Sequence, residues 1–171
     1  MQIKRGEFRK SDPSRGSHLP VLIKLVRITP GSIAELGCGM YSTPFLHWAC
    51  YSTKRRLVTY ESKVDYFDFA DQFKSDYHEI VHVEDWDILD FSEPWSIAFL
   101  DHFPDERRYL DIPKFVHADY MVAHDADNSS DKKYNYIKTH NLFSSRFKYS
   151  DTQPKTLIMS NRFDVSRFTV F

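Results

Sequence analysis

The chain has little net charge, few cysteines and very few glycines. Its 23 Lys and Arg against 24 Asp and Glu leave a formal net charge of −1, which gives no signature of a strongly basic nucleic-acid binder. Cys38 and Cys50 are the only cysteines. They form no C-x-x-C pair, so neither a disulfide framework nor a zinc site is indicated. No apolar run is long enough for a transmembrane helix, and the polar, basic N-terminus MQIKRGEFRKSDPSRGS lacks the apolar centre of a secretory signal. A cytoplasmic protein without membrane attachment is the expectation. With 171 residues, 42% hydrophobic and 27% charged, the composition is that of a single globular domain. Residues 1–17 read as a flexible arm and residues 18–171 as the domain.

Only five glycines are present, and two of them, Gly37 and Gly39, fall in SIAELGCGMYSTP directly after an apolar run. A strand that enters a glycine turn and then a helix lets backbone approach a ligand closely. The surrounding pattern supports this. HLPVLIKLVRITPG has helical apolar spacing, ended by Pro30 and Gly31. Five short apolar segments follow, at 33–36, 57–60, 79–83, 96–100 and 120–123, each strand-like in length and composition. Helix-length stretches at 41–52, 64–74 and 106–117 alternate with them, which implies βαβ units around a parallel sheet. The link EDWDILDFSEPW is less clearly helical. RFKYS and TLIMS are joined by DTQPK, too short for a crossover, so they pair as an antiparallel hairpin at the sheet's edge.

Open α/β sheets bind ligands at the carboxyl ends of their strands. The five expected strands run into Gly37-Cys38-Gly39, Glu61, Glu84-Asp85-Trp86, Asp101-His102 and His124-Asp125. Any one of these acids has an equally good use as a helix cap. Five along one rim favour a ligand. Glu61 lies 24 residues after Gly37, close to the spacing at which an acid meets the ribose of an adenosine cofactor.

AELGCGMYSTP followed by LVTYES, VEDWD and IAFLDH resembles the class I S-adenosylmethionine (SAM)-dependent methyltransferases over roughly residues 33–125. The terminal hairpin and the helix at 19–29 have counterparts there. The resemblance implies a Rossmann-like three-layer α/β/α sandwich with a mostly parallel seven-stranded sheet and an antiparallel C-terminal strand. It implies SAM as cofactor: Glu35, Gly37 and Gly39 at its methionine end, Glu61 on the ribose, and Asp85 and Trp86 flanking the adenine. Tyr41 stands beside the glycines, and Ser42 and Thr43, opening the next helix, are placed to bind the cofactor carboxylate. Trp86 has ordinary packing as its other reading.

FLDHFPDERRYLDI and YST are similar to segments of the catechol-type O-methyltransferases, and that resemblance implies Mg²⁺ held by Asp101 and Asp125. Ala126 stands where that family has Asn, with Asp127 and Asn128 next, and Pro104 stands about where it has its lysine base. Without a metal, His102 and His124 beside Asp101 are the candidates for the base that deprotonates an acceptor; either also suits a hydrogen bond to a neighbouring loop. Lys54-Arg55-Arg56 reads first as a solvated turn, and Tyr134, Tyr136, Phe143, Phe147 and Tyr149 as core aromatics under the hairpin.

The expected activity is methyl transfer to an oxygen or nitrogen acceptor, either a small molecule or an exposed macromolecular group. Little chain is left to cover the site, so it stands open or is completed by a second subunit in a homo-oligomer. Two rivals remain. One is a nicotinamide-dependent Rossmann oxidoreductase, since Gly37 to Ser42 nearly matches G-x-G-x-x-G; the preceding helix, Glu35 and the terminal hairpin count against it. The other is a non-catalytic SAM-binding or regulatory module, because fold does not fix function.

Overall fold

A computed structural model of the chain describes residues 12–127 and 131–171. Residues 1–11 of the expected arm, and Asn128, lie outside the described residues.

Seven strands form one sheet in the order β3-β2-β1-β4-β5-β7-β6. They are β1 (Ser32–Leu36), β2 (Leu57–Glu61), β3 (His78–His82), β4 (Trp95–Leu100), β5 (Tyr120–Ala123), β6 (Ser145–Tyr149) and β7 (Thr156–Ser160). The first five are parallel, and β7 runs antiparallel to both β5 and β6. Strand order reverses between β1 and β4, so their carboxyl ends diverge there and leave a crevice.

The period of two along each strand sorts the apolar side chains onto two buried faces. Ala34, Val58, Ala98, Leu100, Met121 and Met159 face one core with Phe91, Phe115 and Tyr136. Ile33, Leu57, Ile97, Phe99, Val122 and Ile158 face the other. There they meet Val21, Leu22 and Leu25 of α1 (Leu19–Ile28) and Leu46 and Cys50 of α2 (Ser42–Tyr51). The expected α/β sandwich is present, with each strand predicted to within a residue or so of its ends.

Helix lengths differ more. The helix expected at 64–74 is α3 (Val64–Asp71), with tighter turns after it. The one expected at 106–117 is a single α-turn, α4 (Arg108–Asp111), between 3₁₀ turns at Asp105–Arg107 and Ile112–Phe115. Pro113 has no N–H to extend it. EDWDILDFSEPW is a loop in which Asp85 and Asp90 accept from the backbone N–H groups of Asp87 and Ser92. A last short turn, α5 (Asp131–Tyr134), precedes the hairpin.

The basic run is not all solvated. Arg55 is buried, and its guanidinium donates to the carbonyls of Thr29, at 2.8 Å, and Gly31, tying the end of α1 to the sheet. The aromatics Tyr134, Tyr136 and Phe143 are buried in the core, as their plainer reading required.

Candidate functional site

The crevice at the carboxyl ends of β1, β2, β4 and β5 holds a cavity of about 330 Å³. Cys38 to Ser42 line it from the turn after β1, Glu61 and Lys63 from β2, Asp101 to Phe103 and Asp105 from β4, and His124 and Asp125 from β5. Ser14, Arg15 and His18 close it from the N-terminal side.

Gly37 has φ +85°, and a β-carbon there would stand 2.5 Å from His102 Cα and 2.6 Å from the Asp101 carbonyl. The turn is thus pressed against the end of β4, which no other residue type permits. Gly39 needs no such conformation; a β-carbon there would meet only Ser42 Oγ, at 3.4 Å. Glu61 is buried at the rim of the cavity, its carboxylate accepting from the backbone N–H groups of Cys38 at 2.9 Å and Lys63 at 2.7 Å.

Glu35 is placed differently from the expectation. It is 0% exposed and is not among the lining residues; it sits under the glycine turn, accepting from Thr43 Oγ1 at 3.0 Å and Thr59 Oγ1 at 2.6 Å. Thr43 in turn accepts from Gly39 N–H at 3.0 Å, so Thr43 braces the glycine turn and is not placed on the cofactor. The chain of bonds continues: Thr59 Oγ1 lies 2.8 Å from His78 Nε2, and His78 Nδ1 lies 3.1 Å from His47 Nδ1. Thr59 gives its one proton to Glu35, so His78 donates from Nε2 and accepts at Nδ1 from His47.

Burial pushes the Glu35 carboxyl up to about 7, against the hydroxyls of Ser42, Thr59 and Thr43, which favour its charge. A folded chain that keeps a proton the unfolded chain releases loses stability as pH rises, here between about 4.5 and 7. Glu35→Gln is expected to abolish that slope, gaining up to roughly 3 kcal/mol on wild type at pH 8 and little at pH 4. Urea denaturation at the two pH values reads it. Equal slopes in the two proteins would refute the assignment.

Asp85 and Trp86 are not brought to the cavity. Asp85 is exposed and accepts from Asp87 N–H. Trp86 is buried against the His102 ring, centroids 4.4 Å apart, its Nε1 donating to the Phe103 carbonyl at 3.1 Å. The loop's aspartate turns aim both residues away, and Lys63, Tyr66 and Phe103 form that end of the cavity instead.

His102 lines the cavity with its backbone side, but its Nε2 is 2.8 Å from Asp111 Oδ2, a carboxylate that also binds Arg107 and Lys114. Burial lowers the basicity of His102, opposed by Asp111. It is a paired core residue rather than a free base. His124 has both ring nitrogens engaged: Nδ1 lies 3.2 Å from Asp101 Oδ2, and Nε2 lies 2.8 Å from Ser17 Oγ, which donates to the Pro154 carbonyl at 2.7 Å. Its burial disfavours charge, but Asp101 and Asp125 outweigh that and raise its pKa.

Arg108 was not singled out by sequence. It is 5% exposed, with Nη2 2.8 Å from Asp101 Oδ1 and Nη1 3.3 Å from Asp125 Oδ2, so a guanidinium bridges the two acids expected to hold Mg²⁺. Burial opposes its charge, and Asp101, Tyr136 and Asp125 more than restore it. Mg²⁺ needs several oxygen ligands at about 2.1 Å around one point. One oxygen of each carboxylate is held by the guanidinium, which stands between them where a shared Mg²⁺ would lie, so the arrangement does not support Mg²⁺ bridging Asp101 and Asp125.

No protein-family model matches the chain, and no curated protein sequence matches it. Solved structures do resemble it in fold. Cofactor-bound Rv0187 from MTB aligns with a TM-score of 0.65 and 16% identity, over 91% of this chain and 84% of that one. An O-methyltransferase from Bacillus cereus in complex with SAH aligns at 0.57 and 18%, over 88% and 82%. A spermidine synthase in complex with the transition-state analogue AdoDATO aligns at 0.63 and 12%, over 91% of this chain and 62% of its own. The chain has the class I methyltransferase fold.

Proposed function

We propose that the protein binds SAM in this crevice and transfers its methyl group to an oxygen or nitrogen acceptor. The observation that carries the reading is Glu61, a buried carboxylate fixed by two backbone N–H groups at the end of β2, beside a glycine turn on a methyltransferase fold. Carboxylates fixed this way bind vicinal hydroxyls such as those of a ribose. The cavity's 330 Å³ suits a nucleoside-sized ligand, and the lack of a side chain at Gly39 lets a ligand lie close against the turn. Gly39, Tyr41, Ser42, Glu61 and Asp101 would hold the cofactor, which supplies an activated methyl group when bound. The residues themselves orient donor and acceptor and exclude water. A dinucleotide oxidoreductase is disfavoured, since its second mononucleotide half is replaced by the antiparallel β6 and β7.

Calorimetry with SAM, S-adenosylhomocysteine and NAD tests the reading. Wild type is expected to bind both sulfur nucleosides and not NAD, and Glu61→Ala to weaken them by about 10- to 100-fold, the loss of charge-assisted hydrogen bonds. NAD binding without either nucleoside would overturn it. Binding without methyl transfer to any oxygen or nitrogen acceptor tried would leave a SAM-binding module.

A further inference from the structure

The floor of the cavity holds a side-chain group that the reading above leaves unused. His18, immediately before α1, is 2% exposed and lines the cavity, yet neither ring nitrogen has a hydrogen-bond partner among the described residues. A buried polar atom left without a partner is costly and calls for an explanation. The ring is held between Phe99, centroids 4.7 Å apart, and the edge of His124, also at 4.7 Å. One ligand atom from each of His18, Asp101 and His124 lies within 4.8 Å of the others.

We propose that His18, Asp101 and His124 form a binding site for a divalent transition-metal ion of the zinc or cobalt type, open to the cavity. The donor set, two imidazoles and one carboxylate, suits such borderline ions and not Mg²⁺, which takes oxygen. Ligand atoms bound at about 2.1 Å from one ion stand about 3 to 4 Å apart, so small side-chain rotations close the set. The surroundings resemble the supporting contacts that orient metal ligands. Arg108 holds Asp101 Oδ1 and leaves Oδ2 for an ion. Ser17 Oγ, anchored on the Pro154 carbonyl, holds His124 Nε2 and leaves Nδ1 on the Asp101 side. An ion there takes the place of the Nδ1 proton. His18 has both ring nitrogens without a partner among the described residues, so one of them is open to an ion.

The three ligands come from different parts of the fold: the residue before α1, the end of β4 and the end of β5. The geometry points to coordination whether or not methyl transfer occurs, and binding is read without SAM. Chelator-treated protein is titrated with Co²⁺ by visible absorption and with Zn²⁺ and Mg²⁺ by calorimetry. One Co²⁺ per chain, with the d–d bands of a low-symmetry site, is expected, and one competing Zn²⁺. His18→Asn should weaken binding at least tenfold, while His82→Ala, on an exposed histidine, leaves it unchanged. Ser17→Ala keeps all three ligands and is expected to weaken binding severalfold through His124, which decides the matter if His18→Asn fails to fold. The proposal fails if neither Co²⁺ nor Zn²⁺ saturates, if Mg²⁺ alone binds, if His18→Asn folds and binds normally, or if His82→Ala removes the ion.

Discussion

Gly37→Ala is expected to cost the fold about 4 kcal/mol or more, enough to unfold a domain of ordinary stability at moderate temperature. Two effects add. The backbone at φ +85° is one an L-residue rarely adopts, and the new methyl would stand 2.5 to 2.6 Å from the backbone of Asp101 and His102, which is sheet-bonded and unable to yield. Asp101 N–H donates to the Leu36 carbonyl at 2.8 Å, and Gly37 N–H to the Tyr60 carbonyl at 2.8 Å, so separating the turn from β4 would break the sheet where three strands end. Gly39→Ala provides the contrast. Its β-carbon meets one hydroxyl at an ordinary distance, so stability should shift by about 0.5 kcal/mol or less, while SAM binding weakens because the methyl enters the cavity. Urea denaturation and calorimetry on the two variants separate these outcomes. A Gly37→Ala protein as stable as wild type would mean that the turn does not lie against β4.

Arg108→Met should be nearly as damaging, by about 3 kcal/mol at pH 7. Methionine fills much of the arginine's volume but leaves Asp101 and Asp125 without the cation between them and the His102 carbonyl without its donor at 2.9 Å. The sign with pH is fixed. Burial alone would raise the Asp101 pKa, but His124 and Arg108 hold it below the ordinary 3.8. A carboxyl with a depressed folded pKa contributes stability above its unfolded value and loses it as pH falls through the folded one. The Arg108→Met deficit is therefore expected to be full at pH 7 and to shrink below pH 4, where Asp101 takes up a proton and no longer requires a cation. A deficit constant from pH 7 to pH 3 would show that the arginine acts by packing alone.

The strands were legible because burial on both faces compresses them into short runs of Val, Ile, Leu and aromatics, with a five-residue link that only a hairpin satisfies. Glu61 was legible because its distance from Gly37 follows from the length of one βα unit. Other site residues have no such local mark. DERR carries four charges in a row, and the inward turn of Arg108 depends on a helix broken by Pro113, three-dimensional information that no periodicity encodes. His18 stands at the border of a polar segment and a helix, and only the packing of that segment against β4 and β5 buries it. Glu35 and Trp86 were recognised as part of the site, yet one lies beneath its floor and the other behind its wall. Spacing locates a residue along the chain, and a local hydrogen bond, from Thr59 to Glu35 or from Asp87 to Asp85, decides which way its surroundings face.

The contacts of Ser17 have a consequence for synthesis. Its hydroxyl bonds the Pro154 carbonyl and its own carbonyl accepts from Thr152 Oγ1 at 2.7 Å, contacts spanning 137 and 135 residues. On the ribosome, the sheet from β1 to β5 can pair, and Ser17 and His18 can reach His124, while Ser17 still lacks its partners Thr152 and Pro154. The crevice acquires its Pro154 wall only after that part of the hairpin has emerged, so a ligand filling it acts late and locks a fold whose sheet has already formed.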